Sequence, residues 1–126
     1  MNLRELELCL ESSWGRDTCY PSMREGWSRD NPANGQCTAT SLVVKDYFGG
    51  DIIFCFAITP NGGREPHFFN RLKDGDVGLT RRQFPDGTVF VEERVMEKEH
   101  ILSMPNGVTD RYTILKERTQ QALRVC

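Results

Sequence analysis

The sequence predicts an α+β fold: one domain over residues 1–126, with helices packed on one antiparallel sheet. Three observations carry this. Apolar residues recur at helical spacing near both ends of the chain. Strand-like runs stand together in the middle, two of them beside the hairpin signal Asp74-Gly75. No repeat or low-complexity linker divides the chain, and its length suits one core.

Residues 2–12 form an amphipathic helix, with Leu3, Leu6 and Leu10 on one face and Asn2 as N-cap. Residues 13–34 are polar and interrupted by Pro21 and Pro32. A loop this long in a small domain is commonly functional, and Trp14, Tyr20 and Trp27 are available to anchor it. Residues 37–48 form a second helix, capped by Gln36 or Thr38 and stopped by Gly49-Gly50. Its β-branched content suits burial better than exposure. Residues 51–58 are apolar almost throughout, as in a central strand covered on both faces. A second strand runs from His67 to Leu72 and returns through Asp76 to Thr80. Residues 80–84 open a short helix or turn, and 88–96 form a further strand. Residues 97–104 fit neither pattern, and a last helix spans about 109–125 with Thr109 as N-cap.

The balance of charge is nearly even, with a net charge of −2, which argues against a nucleic-acid partner. No apolar run approaches the roughly 20 residues that span a bilayer. Residues 1–12 carry three glutamates and no signal-peptide core, so the expected location is cytoplasmic. The five cysteines include no CxxC pair, so neither a zinc site nor a disulfide framework is expected, and no cofactor is called for. The sequence sets no oligomeric state.

Cys37 stands apart from the other cysteines. The turn-forming run Asn31-Pro32-Ala33-Asn34-Gly35-Gln36 delivers it to the first turn of a helix. The helix dipole and free N–H groups there favour the thiolate. His67 stands on a strand thirty residues on, whereas His100 lies in a charged, surface-type segment. A thiol at a helix start and an imidazole on a strand are the minimal equipment of a cysteine hydrolase, provided that the two meet. The same residues also suit a buried packing cysteine and a histidine at a strand start. A Cys19–Cys37 redox pair is a third option.

The pieces Asn31-Pro32, Gly35-Gln36-Cys37, Asp46-Tyr47-Phe48-Gly49-Gly50-Asp51-Ile52, His67-Phe68-Phe69-Asn70-Arg71-Leu72 and Leu79-Thr80-Arg81 together resemble the YunG-like family of small bacterial proteins. The family's layout is similar to that of papain-like, NlpC-like and transglutaminase-like enzymes, in which a helix-borne Cys precedes a strand-borne His. The resemblance implies a papain-like arrangement and a thiol-dependent hydrolase or acyl transferase acting on an amide of a peptide, an isopeptide or a glutamine side chain. It makes Cys37 the nucleophile and His67 the base. It makes Asn31 or Gln36 an oxyanion donor, although Asn31 equally suits an Asx turn before Pro32. Where members carry Asp-Leu-Thr, this chain reads Gly78-Leu79-Thr80, so the orienting acid is missing. A two-residue turn at Asp74-Gly75 would pair Arg71 with Gly78, leaving Asp76, Thr80 or Asn70 as substitutes. Trp14 and Trp27 are candidates to line a groove beside Cys37. The alternative is a catalytically impaired binding module on the same fold.

Overall fold

The computed structural model describes residues 1–125. Its elements are α1 (Leu3–Ser13), α2 (Cys37–Phe48), β1 (Asp51–Ile58), β2 (Arg64–Leu72), β3 (Gly75–Val77), β4 (Val89–Val95), α3 (Lys98–Leu102) and α4 (Val108–Arg124). Tight helical turns at Arg16–Thr18, Pro21–Met23 and Arg81–Gln83 punctuate the connections. The sheet is antiparallel, in the order β3-β2-β1-β4. The fold is therefore α+β, as the pattern of elements predicts.

Local chemistry accounts for the helix ends. The Asn2 side chain accepts the Glu5 N–H at 2.8 Å and starts α1. Gly49 ends α2 with φ +71 and donates to the Lys45 carbonyl at 2.8 Å. Two expectations fail at helix starts. Neither Gln36 nor Thr38 caps α2 through its side chain. Gly107, not Thr109, holds the N-cap position of α4, and the Thr109 hydroxyl donates instead to Leu102 O. The ambiguous residues 97–104 contain α3, whose Ile101 is fully buried.

The helices cover one face of the sheet. Leu6 and Leu10 of α1, Leu42 and Val43 of α2, and Leu115 of α4 form one core with Ile52 of β1 and Phe68 of β2. Each fully buried leucine contributes ~1.5–3 kcal/mol by leaving water. Asn70, also on β2, donates to the Ser41 carbonyl at 2.9 Å and ties the strand to α2. The opposite face carries a smaller cluster of Ile53, Cys55, Phe69 and Phe90. Side chains alternate along a strand, so even-numbered β2 residues from Phe68 face the helices and odd-numbered ones face away. The ladder agrees, pairing Cys55 with His67 and Ile53 with Phe69. A bulge interrupts the β1–β4 ladder between Phe54 and Phe56, and Glu92 on β4 adopts φ +58 there.

The β2–β3 turn differs from expectation. Leu72 pairs with Gly75 and Arg71 with Asp76, so the turn residues are Lys73 and Asp74. The register is displaced by two residues from the expected Arg71–Gly78 pairing. Among the described residues, no helix is long and apolar enough to cross a membrane.

Candidate functional site

Residues 28–36 wind through successive turns into α2. Asn31 donates to Ser28 O, Asn34 to Asn31 O and Gln36 to Ala33 O, each at 3.1–3.2 Å. Tyr20 N donates to Gly35 O at 2.9 Å and binds the earlier loop to this run. Gly35 has φ +71, the left-handed conformation that lets the chain turn into the helix. Cys37 is thus the first residue of α2, as the local sequence predicts.

A cavity of about 340 Å³ opens at this helix start. Cys37 and Thr38 line it beside Phe54, Phe68 and Phe84. Met23 and Met104 add flexible apolar walls, while Tyr20, Gln83 and Glu65 supply polar groups. The lining is mostly apolar with a few polar groups, as in small-molecule sites.

The Cys37 thiol does not carry the depressed pKa expected at a helix start. Burial is the largest influence and pushes it up. Backbone N–H groups of Phe68 and Cys37, the Thr38 hydroxyl and the Arg111 charge pull the other way and lose. The Thr38 hydroxyl lies 4.0 Å from the sulfur.

His67 is not at this cavity. It sits on the sheet face away from α2, 1% exposed, and lines a separate cavity of about 190 Å³ with Phe69, Asp76, Gly78, Arg81, Phe90 and Glu93. Its ring meets Phe84 edge-on at 5.0 Å and Phe90 at 5.2 Å. Gln83 Nε2 points at Nδ1 from 3.5 Å. With Nδ1 accepting, the ring proton belongs on Nε2, which has no partner among the described residues. Burial first, then the Arg81 charge, lowers the pKa of His67 to about 4. The expected Cys37–His67 pair is therefore not formed. The physical reason is strand alternation: α2 packs on the face of Phe68 and Asn70, and His67 is one residue out of phase with them.

The other candidates are engaged elsewhere. Gln36 is fully buried, donates to Gly15 O at 3.0 Å and accepts the Thr18 hydroxyl at 2.8 Å, so its amide is held against the Gly15–Thr18 turn and does not line the cavity beside Cys37. Asn31 is half-buried in its turn and does not line the cavity. Asp76 takes a two-point ion pair from Arg71, at 2.7 and 3.0 Å, rather than orienting His67. Asn70 faces α2. Thr80 is linked to His67 only through Gln83, whose Nε2 donates to the Thr80 hydroxyl at 3.1 Å. Trp14 is buried in the main core and donates to Thr40 at 2.9 Å. Trp27 donates to Pro32 O at 3.0 Å. Both indoles anchor the long loop, and neither lines the cavity. Cys19 is buried, and its thiol donates to Asn34 O at 3.2 Å.

Gln36 offers a direct check on its bracing role. Gln36→Leu removes two side-chain hydrogen bonds and leaves the Gly15 carbonyl and the Thr18 hydroxyl only to partners within their own turn, which is expected to cost about 1–3 kcal/mol in urea unfolding. The alkylation rate of Cys37 should change little in the folded variant. A large rate change at unaltered stability would return Gln36 to the chemistry of the site.

Two residues at the site are not among the candidates that the sequence offers. Gln83 walls the cavity and accepts the Gly35 N–H at 3.2 Å. Arg111 is 1% exposed on α4. Its signal was present: Val108, Arg111, Leu115 and Thr119 recur at the spacing of one buried helix face.

The comparisons bear on the whole chain. No solved structure matches it. A Bacillus subtilis (strain 168) protein described as uncharacterized protein YunG is 25% identical over 122 residues, covering 97% of this chain and 88% of its own length. The family model described as YunG protein matches residues 2–124. With nearly its full length matched by that model, the chain belongs to the YunG family.

Proposed function

We propose that this chain is a ligand-binding module whose apolar cavity at the start of α2 receives a small ligand or an apolar side chain of a partner. One observation carries this reading: the cavity holds a thiol without an imidazole. The chain has two histidines; His67 faces the other side of the sheet and His100 is exposed on α3. The Cys37 thiol is held in its neutral form by burial and contributes apolar, polarisable surface to the cavity.

The rival reading is a papain-like amide hydrolase or acyl transferase. In its favour, backbone N–H groups of Cys37 and Phe68 face the sulfur, the type of donor an acyl oxyanion uses. It lacks an imidazole in reach, and His67 with a pKa of about 4 is a weak base at neutral pH.

Iodoacetamide alkylation at neutral pH, followed residue by residue by mass spectrometry, separates the two. The binding module predicts that Cys37 reacts no faster than the thiol of free glutathione. Its rate should climb only above the ordinary thiol range. Alkylation of Cys37 about tenfold or more faster than glutathione at pH 7 would mark an activated thiolate and reinstate the enzyme.

A further inference from the structure

Arg111 is a buried cation without a counter-ion among the described residues. Its Nη1 and Nη2 have no hydrogen-bond partner among the described residues, and its Nε donates to Asn106 O at 3.3 Å. Its guanidinium packs on the ring of Tyr20, 5.4 Å from the centroid, and Asn106 donates to the Tyr20 hydroxyl at 2.9 Å. Tyr20 is a wall of the Cys37 cavity, as is Met104 two residues before Asn106. The positive charge acts on Cys37, Tyr20 and Cys19 and is opposed by Arg24, and no carboxylate among the described residues is paired with it. A buried charge without a partner is destabilising, so its presence calls for a partner that the chain does not itself supply.

A second feature points to the same end of the cavity. The α2 N-terminus receives no side-chain cap, because the Gln36 amide is committed to Gly15 and Thr18. The first N–H groups of a helix carry partial positive charge and accept anions readily. Cys37 and Thr38, the first two residues of the helix, line the cavity. Glu65 also lines it, but is exposed, and water and salt screen its charge.

We propose that Arg111 and the start of α2 form the anion-recognising end of the cavity, whose ligand is an apolar carboxylate. The apolar body would lie against Phe54, Phe68 and Phe84, with the carboxylate beside Cys37. Arg111 does not itself line the cavity but packs behind its Tyr20 wall, so admitting the carboxylate to the guanidinium requires a wall side chain to turn aside, and Met104, unbranched and half-buried, has that freedom. The acid is either a free small molecule or the C-terminus of a peptide ending in an apolar residue. This inference rests on the reading of the cavity as a binding site.

Titration calorimetry with phenylacetate and its neutral analogue phenylethanol tests it, alongside acetyl-alanyl-phenylalanine as acid and as amide. The expected result is that at least one acid binds about tenfold or more tighter than its neutral partner. Whether phenylacetate or the peptide acid shows this preference identifies the source. Arg111→Met should abolish the preference without lowering the melting temperature, because it replaces an unpaired charge by an apolar chain. Should that variant fail to fold, backbone NMR of the wild type decides: the acid, and not the neutral analogue, should move the Cys37 and Thr38 amide signals and the Arg111 Nε–H signal. Equal binding of acid and neutral analogue would overturn the anionic end while leaving the apolar cavity as a binding site. No binding by any of the four probes would overturn the inference, with the binding module still judged by the alkylation of Cys37.

Discussion

Replacing His67 by phenylalanine is expected to remove a step of about 3.5 kcal/mol from the acid side of the stability curve. Burial and Arg81 lower the His67 pKa from 6.5 to about 4 in the folded protein. The unfolded chain thus binds this proton more tightly than the folded one. A depressed folded pKa gives stability that is fully present above 6.5 and is lost as the pH falls toward 4. The difference, 6.5 − 4, at about 1.4 kcal/mol per unit gives the expected step. The carboxylates Asp17 and Asp76 are held below their ordinary 3.8 by hydrogen bonds from Arg118 and Arg71, so their losses fall below the His67 window. Phenylalanine keeps the contacts with Phe84 and Phe90 and removes the unpartnered Nε2. Urea unfolding at closely spaced pH values should show wild type falling between pH 6.5 and 4 while the variant stays nearly flat. Parallel curves would show that His67 charges as freely in the folded chain as in the unfolded one.

Gly35→Ala is expected to cost about 2–5 kcal/mol, through left-handed strain and overpacking together. Gly35 has φ +71, and an added Cβ would stand 2.5 Å from Cys19 Sγ and 3.1 Å from Tyr20 N. Retreat is blocked, because Tyr20 N donates to the Gly35 carbonyl and the Gly35 N–H donates to Gln83. Gly62→Ala is the control: it also has positive φ, at +89, but its Cβ would meet open space. The control should lose only the conformational part, about 1 kcal/mol. Melting temperatures of the two variants compare the terms directly. Equal losses would mean that the loop from Tyr20 to Gly35 yields easily, and that the cavity wall it forms is soft.

Much of the architecture was legible because local chemistry decides it. Asn2 and Gly49 cap their helices as their types require, and Cys37 begins α2 because the turns before it end there. The placement of His67 was not legible, for a definite reason. Phe68 and Phe69 give β2 an apolar residue on each face, so period-two patterning cannot choose the face that takes the helices. Docking of α2 through Ser41 and Asn70 makes the choice, and that contact joins residues 29 apart. The hairpin signal at Asp74-Gly75 located the turn, but Gly75 is the first residue of β3. Displacing the register by two preserves parity, so Asp76 still shares the His67 face, where Arg71 takes it. Arg111 and Gln83 were not legible as site residues because a charged helix residue and an amide in a turn are ordinarily solvated.

Gln83 spans the edge between the two faces. Its carbonyl oxygen takes the Gly35 N–H on the cavity side, and its amide nitrogen is shared between Thr80 and His67 Nδ1. This orientation is satisfied only while Nδ1 is an acceptor. A proton arriving at Nδ1 sets two donors against each other, and rotating the amide to relieve them would withdraw the acceptor from Gly35. A charge on the imidazole is therefore expected to disturb the Gly35 contact in the cavity wall through one planar group.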